Sequence, residues 1–245
     1  VRNKQTRSAP EVVELAVNYL MLPQKRLYIS QSYDGGYSHL KYSTGSPSSY
    51  PIDMVNDNVA DGGFFCPCDE MKIVKLQKRP SDNSYPNGVW LTSTSPCVLA
   101  GGGTIPTSST AIVTLKWVHM NDDDYSTFYI GKTYTRGQYI TNQGTSGHAT
   151  GAHIEQQIGL GVISGSGGQY NSKGAYILKT TGGNIKPQYA MWQNLDFTTI
   201  VQSKGLTFRT YNGDTPAPPT PPAPVPTPPK FPEHKHKSIF WILGW

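Results

Sequence analysis

Gly147-His148-Ala149-Thr150-Gly151-Ala152-His153-Ile154-Glu155-Gln156-Gln157-Ile158 sets a turn of small residues directly before a short alternating strand. Side chains alternate across a strand, so His153, Glu155 and Gln157 share one face while Ile154 and Ile158 take the other. An imidazole, a carboxylate and an amide in a row suit the grip of a cation or a polarised carbonyl. The same row on a solvated strand would be ordinary polar surface, and this stretch alone leaves both readings open. With six histidines in the chain, the placing of the others bears on the choice. His39 lies upstream of Asp53, His119 closes an apolar run, His148 sits in the turn, and His234 and His236 fall near the end.

Outward from this stretch the pattern is β. Strands are predicted over 26–31, 50–55, 70–77, 88–92, 111–120, 138–141, 153–158 and 174–179, separated by Gly, Pro, Asn, Asp and Ser clusters. Strands this frequent, with almost no helical periodicity between them, predict a mainly β fold, an antiparallel sandwich or barrel. Only 15% of the 245 residues are charged, while 25 Gly, 20 Pro and 15 Tyr fit turn-rich β structure and exclude a helical bundle. One helix is expected, at the N-terminus. Ser8-Ala9-Pro10-Glu11 reads as a capping box, Val12, Val13, Leu15, Ala16, Tyr19 and Leu20 recur at helical spacing, and Pro23 ends the run. Residues 35–49 read as a long Gly/Ser/Tyr loop. The glycine-rich segment 158–174 lacks the Gly-Lys-Ser/Thr ending of a phosphate loop and implies no nucleotide.

The composition divides the chain into an N-terminal helical segment (1–25), a β domain (26–212), a proline-rich linker (213–232) and a basic, aromatic tail (233–245). The linker is expected to be extended polyproline. In the tail, Glu233-His234-Lys235-His236-Lys237 precedes Ile239-Phe240-Trp241-Ile242-Leu243, which fits contact with a membrane surface or the first strand of a further module. No run reaches the ~20 apolar residues of a membrane span. Without an initiator Met or a secretory signal, the first residue is expected to be a processed or trimmed end. The net charge of +5 is spread out, with no Lys/Arg cluster interleaved with aromatics, which argues against a nucleic-acid partner. Three cysteines cannot close a disulfide framework, and Cys66-Pro67-Cys68 is too tight for a zinc knuckle. They read as buried small hydrophobes.

Three stretches carry the candidate chemistry in chain order. Ser38-His39-Leu40 and Tyr50-Pro51-Ile52-Asp53-Met54 supply a His and an Asp. Val113-Thr114-Leu115-Lys116-Trp117-Val118-His119 supplies a strand-end His, and the 147–155 stretch supplies His153 and Glu155. This order resembles the lysostaphin/LytM-type zinc endopeptidases of phage endolysins and tail-tip proteins, across roughly residues 27–197. Its most specific part runs from Thr135-Arg136-Gly137-Gln138-Tyr139-Ile140 through Ala149-Thr150-Gly151-Ala152-His153. The resemblance implies zinc ligation by His39 and Asp53 and catalytic roles for His119 and His153. Glu155 occupies the place of the third ligand, where the family has a second histidine.

Two departures touch the metal: a longer insertion between His39 and Asp53, and the carboxylate at 155. The latter adds a negative charge and shifts the preference from Zn2+ toward manganese, magnesium or calcium. The function implied is cleavage of peptide cross-links in bacterial peptidoglycan, in a phage virion, outside the cell or at the bacterial cell wall. The alternative is a degenerate member that only binds the wall or builds a phage tail, with the 233–245 tail as a tail or membrane-surface contact. Without the resemblance, His119 reads equally as a packed core residue on the face of Val113, Leu115 and Trp117. Tyr37 and Tyr50, with Tyr33, Tyr42 and Tyr129, are expected to offer ring area and hydroxyls to a peptide groove.

Overall fold

The computed structural model describes residues 17–56 and 63–211, apart from the Tyr37 side chain. Within them the chain runs through β1 (Arg26–Gln31), α1 (Gly36–Thr44), β2 (Ile52–Val55), β3 (Phe64–Phe65), β4 (Glu70–Gln77), β5 (Gly88–Ser93), β6 (Cys97–Val98) and β7 (Thr110–Ala111). It continues through β8 (Val113–Val118), α2 (Asp122–Ser126), β9 (Thr133–Thr135), β10 (Tyr139–Thr141), β11 (Ile154–Leu160) and β12 (Ile163–Tyr170). The last elements are β13 (Tyr176–Thr180), α3 (Pro187–Ala190), β14 (Trp192–Asn194), β15 (Thr199–Gln202) and β16 (Arg209–Tyr211). The protein is mainly β, as the turn spacing predicts.

Eight strands form one sheet in the order β15-β1-β2-β11-β8-β5-β4-β9. Six of its neighbour pairs are antiparallel, and the edge pair β1 and β15 is parallel, which makes the sheet mixed. Register fixes which side chains share a face. Gln156 lies opposite both Ile52 and Trp117, and Ile158 opposite Leu115, so these residues face one core. Trp117 is its centre: fully buried, edge-on to Phe64 at 5.7 Å, with its indole N–H donating to Gln156 Oε1 at 2.8 Å.

The opposite face carries Asp53, Glu155, Gln157, Lys116 and Trp90. A half-exposed strand would leave it wet, yet β8 and β5 are buried along their whole length. The β12–β13 hairpin covers part of this face. Trp90 Nε1 donates to Gly167 O at 2.9 Å, and the backbone N–H of Leu178 donates to Gln157 Oε1 at 2.7 Å. Gly159, Gly165, Gly167 and Gly168 of the 158–174 segment thus belong to strands, while Gly161 and Gly174 lie in the turns between them. At Gly168 a Cβ would stand 2.3 Å from the Tyr176 hydroxyl, so a bare backbone lets that ring lie across β12.

Two expectations are corrected. The predicted helix falls largely on residues outside those described, but Tyr19 and Leu20, assigned to its end, are extended. Leu20 and Leu22 donate to the carbonyls of Val98 and Trp192 at 3.2 and 2.9 Å, and both side chains are fully buried. Partners elsewhere in the fold take the backbone donors that a helix would use, so residues 17–25 belong to the β domain. The loop expected over 35–49 contains α1. Cys66, Cys68 and Cys97 are free and buried, as read. The 213–232 linker and the 233–245 tail lie outside the described residues.

Trp117→Ala removes the centre of the core and strands Gln156. It is expected to cost about 3–5 kcal/mol in denaturant unfolding. A loss below about 1 kcal/mol would contradict this packing.

Candidate metal centre

Antiparallel register sets Glu155 directly opposite Asp53 on β2 and opposite Val118 on β8. Cross-strand partners point to the same face, so both carboxylates look into one groove. His39 arrives from α1, whose sequence of Tyr, Ser and Thr has little helical preference. The helix is held from outside: Asn171 Nδ2 donates to Lys41 O at 2.8 Å, and His39 Nδ1 bonds the Ser32 carbonyl at 3.1 Å. One ligand atom from each of His39, Asp53 and Glu155 lies within 4.8 Å of the others, and all three residues are buried. Together they form a group able to hold a metal ion.

His119 and His153 stand beside it. Strand alternation would send His119 into the core with Trp117, but its φ of +73° breaks the alternation and turns the ring into the groove. That corrects the packed-core alternative. Gly144 brings the second ring alongside, bridging to His153 while its α-carbon abuts the 119–121 backbone. A Cβ there would lie 2.4 Å from the Asn121 nitrogen, so glycine is required. The two imidazole centroids are 4.6 Å apart.

All three imidazoles share one orientation. His39, His119 and His153 place Nδ1 against the carbonyls of Ser32, Ser146 and Gly151, at 3.1, 2.7 and 2.8 Å. A carbonyl oxygen only accepts, so each Nδ1 carries the hydrogen and each neutral ring keeps its lone pair on Nε2. Two of those nitrogens, from His39 and His153, face Asp53 Oδ1 at 3.1 and 3.7 Å. That oxygen is buried, and among the described residues it has no donor while both rings are neutral; a proton on His39 Nε2 supplies one. Lone pairs converging on a buried carboxylate call for a cation between them, either a proton or a metal ion.

The electrostatics agree. Burial opposes charge on His39, but the hydrogen bond and charge of Asp53, with the charge of Glu155, outweigh it and raise the imidazole pKa. Burial lowers that of His119 and keeps the ring neutral. Burial also works against the Glu155 carboxylate, yet Lys116, His39 and His119, together with a Gln157 hydrogen bond, hold its pKa below the usual range. The charge of Glu155, reinforced by burial, drives the Tyr42 hydroxyl pKa far up, so Tyr42 remains a donor.

The groove has a volume of about 660 Å³ and contains all five predicted metal-ligating and catalytic residues. His148 stays a loop residue on its rim. The tyrosines are partly misassigned. Tyr50 does not line the groove: its ring packs edge-on against Tyr33 at 5.4 Å and against the core, which holds it away. Tyr129 is exposed elsewhere, and the Tyr37 side chain lies outside the described residues. Tyr42 does line the groove, joined by Tyr85, Tyr170 and Tyr176, which sequence reasoning missed. It also missed Lys116, although a lone lysine within Val113-Thr114-Leu115-Lys116-Trp117-Val118 was a visible signal. No protein-family model matches this chain, and no curated protein sequence matches it.

In the metal-free protein the His39–Asp53 contact contributes full stability below the ordinary imidazole pKa of about 6.5. That contribution is lost as pH rises through the raised value. A divalent cation must displace the same proton, so apparent affinity is expected to climb with pH across this window, releasing a proton per ion. Calorimetric titration in buffers of different ionisation heat reads that count. An affinity unchanged between about pH 6 and 8 would contradict the arrangement.

Proposed function

We propose that this chain is a metal-dependent endopeptidase of the lysostaphin/LytM type, acting on the peptide cross-links of bacterial peptidoglycan. The observation that carries the reading is the set of three backbone-anchored imidazoles presenting Nε2 lone pairs beside two buried carboxylates. His39, Asp53 and Glu155 would hold the cation. One imidazole and two carboxylates fit Zn2+, and the oxygen-rich balance also admits manganese. When bound there, the cation supplies a Lewis acid that polarises the scissile carbonyl and makes a nearby water more acidic.

The remaining work falls to the chain's own residues. His153 Nε2 takes the proton from the attacking water, and the imidazolium so formed is stabilised by Asp53 at 3.7 Å. The same nitrogen then gives the proton to the leaving amine. His119, kept neutral by burial with its Nδ1–H on the Ser146 carbonyl, offers a second Nε2 acceptor on this wall, placed to hydrogen-bond the attacking water and orient it. Gln157 Nε2 donates to Glu155 Oε1 at 2.8 Å, while its own oxygen accepts from Ser49 and Leu178. Glu155 is thus held by a connected network, which supports a working ligand over an eroded one. The proposed setting is a phage virion or the bacterial cell wall, as an endolysin or tail-associated lysin.

The full chain is expected to release soluble fragments from Gram-positive cell walls. His153→Ala should lower that rate by about 10²–10⁴-fold with the melting temperature nearly unchanged. If both proteins bind walls and release equally little, the wall-binding alternative replaces the enzyme.

A further inference from the structure

Lys116 is a charged groove residue that the proposed mechanism leaves unused. It is 4% exposed, in the middle of the central strand β8. Gln157 lies directly opposite it and Val118 opposite Glu155, so Lys116 is the diagonal cross-strand neighbour of Glu155 on the groove face. Its ammonium donates to Tyr176 O at 3.1 Å and lies 5.0 Å from the Tyr176 ring centroid and 5.9 Å from that of Trp90. One carbonyl and two ring faces favour an ammonium but do not neutralise it. Of the two acids on this floor, Asp53 faces His39 and His153, and the one diagonal to Lys116 is Glu155, itself buried, whose oxygens receive, among the described residues, only the amide of Gln157 and the long 3.5 Å contact from Tyr42.

We propose that Lys116 is a positioning residue of the metal centre: a built-in counter-charge that lets a carboxylate stand at 155. The inference rests on Glu155 being a ligand. Lys116 and Glu155 together carry no net charge, so the pair presents the cation with the charge of a neutral ligand. Without metal, Lys116 is the permanent cationic side chain beside Glu155, while the His39 proton is shared with Asp53. With metal, the cation balances Glu155 and is repelled by the ammonium behind it.

The test is a four-protein cycle on the full chain: wild type, Lys116→Met, Glu155→Gln and the double variant, with Lys116→Arg as the conservative control. Melting temperature is read without metal and in saturating Zn2+, and zinc affinity by chelator competition. Each single variant leaves one buried charge unpaired and is expected to melt roughly 10 °C lower without metal. The double variant should regain most of that loss. Saturating Zn2+ should rescue Lys116→Met, which should also bind zinc about tenfold more tightly, whereas Lys116→Arg should match wild type.

A lysine that merely fills space under the hairpin would be rescued neither by Glu155→Gln nor by zinc. Additive losses with unchanged zinc affinity in Lys116→Met would therefore overturn the inference. If Lys116→Met does not fold, the double variant still reads the coupling, and its failure to fold would overturn the inference too. Zinc affinity unaffected by Glu155→Gln would remove the ligand reading itself, and this inference with it.

Discussion

Two carboxylates directly opposite each other on adjacent antiparallel strands repel, and here both are buried. The pairing of Asp53 with Glu155 constrains everything around the groove. Neither oxygen pair can be left to water, so cationic groups and donors must come from elements far apart in sequence. His39 comes from α1, Lys116 from β8, and Gln157 from two residues along β11. Each is fixed by a bond to something else: Ser32 for His39, Tyr176 for Lys116, Ser49 and Leu178 for Gln157. The groove is therefore preorganised, with its geometry set by the sheet and the layer above it.

The same constraint explains the unusual covering of the sheet. A wet groove face would screen the carboxylates and weaken their demand for a cation. Hairpin β12–β13 and α1 instead exclude solvent from most of that face while leaving an opening toward His119, His153 and the rim. Ser146, Gly147 and their neighbours tie this rim down. Ser146 O holds His119, its hydroxyl accepts from Asn87 N, and Gly147 exchanges bonds with Asn83. The imidazoles thus sit on a loop pinned like a core element.

Much of this was legible in the sequence, for local reasons. The bounds of β1 and β4 follow from alternating apolar runs closed by turn residues, and the common face of His153, Glu155 and Gln157 follows from strand geometry alone. The ordered set of histidines and acids located the groove. Tertiary contacts decided the rest. α1 is built from poor helix formers and exists because Ser32 and Asn171 hold it. His119 leaves the face that alternation assigns it because one residue adopts a left-handed backbone. Residues 17–25 read as a helix end by spacing, but their N–H groups find Val98 and Trp192. Lys116 was visible as an anomaly, yet its partner sits two positions along a neighbouring strand and only register identifies it.

Long-range 1H–15N spectra of the histidine rings, recorded before and after addition of Zn2+, test the central claim most directly. The expected result is an Nδ1–H tautomer for His39, His119 and His153 in the zinc-loaded protein, with His39 losing one proton and its Nε2 resonance moving on zinc addition. Nε2–H tautomers at these positions, or a His39 ring indifferent to zinc, would contradict it.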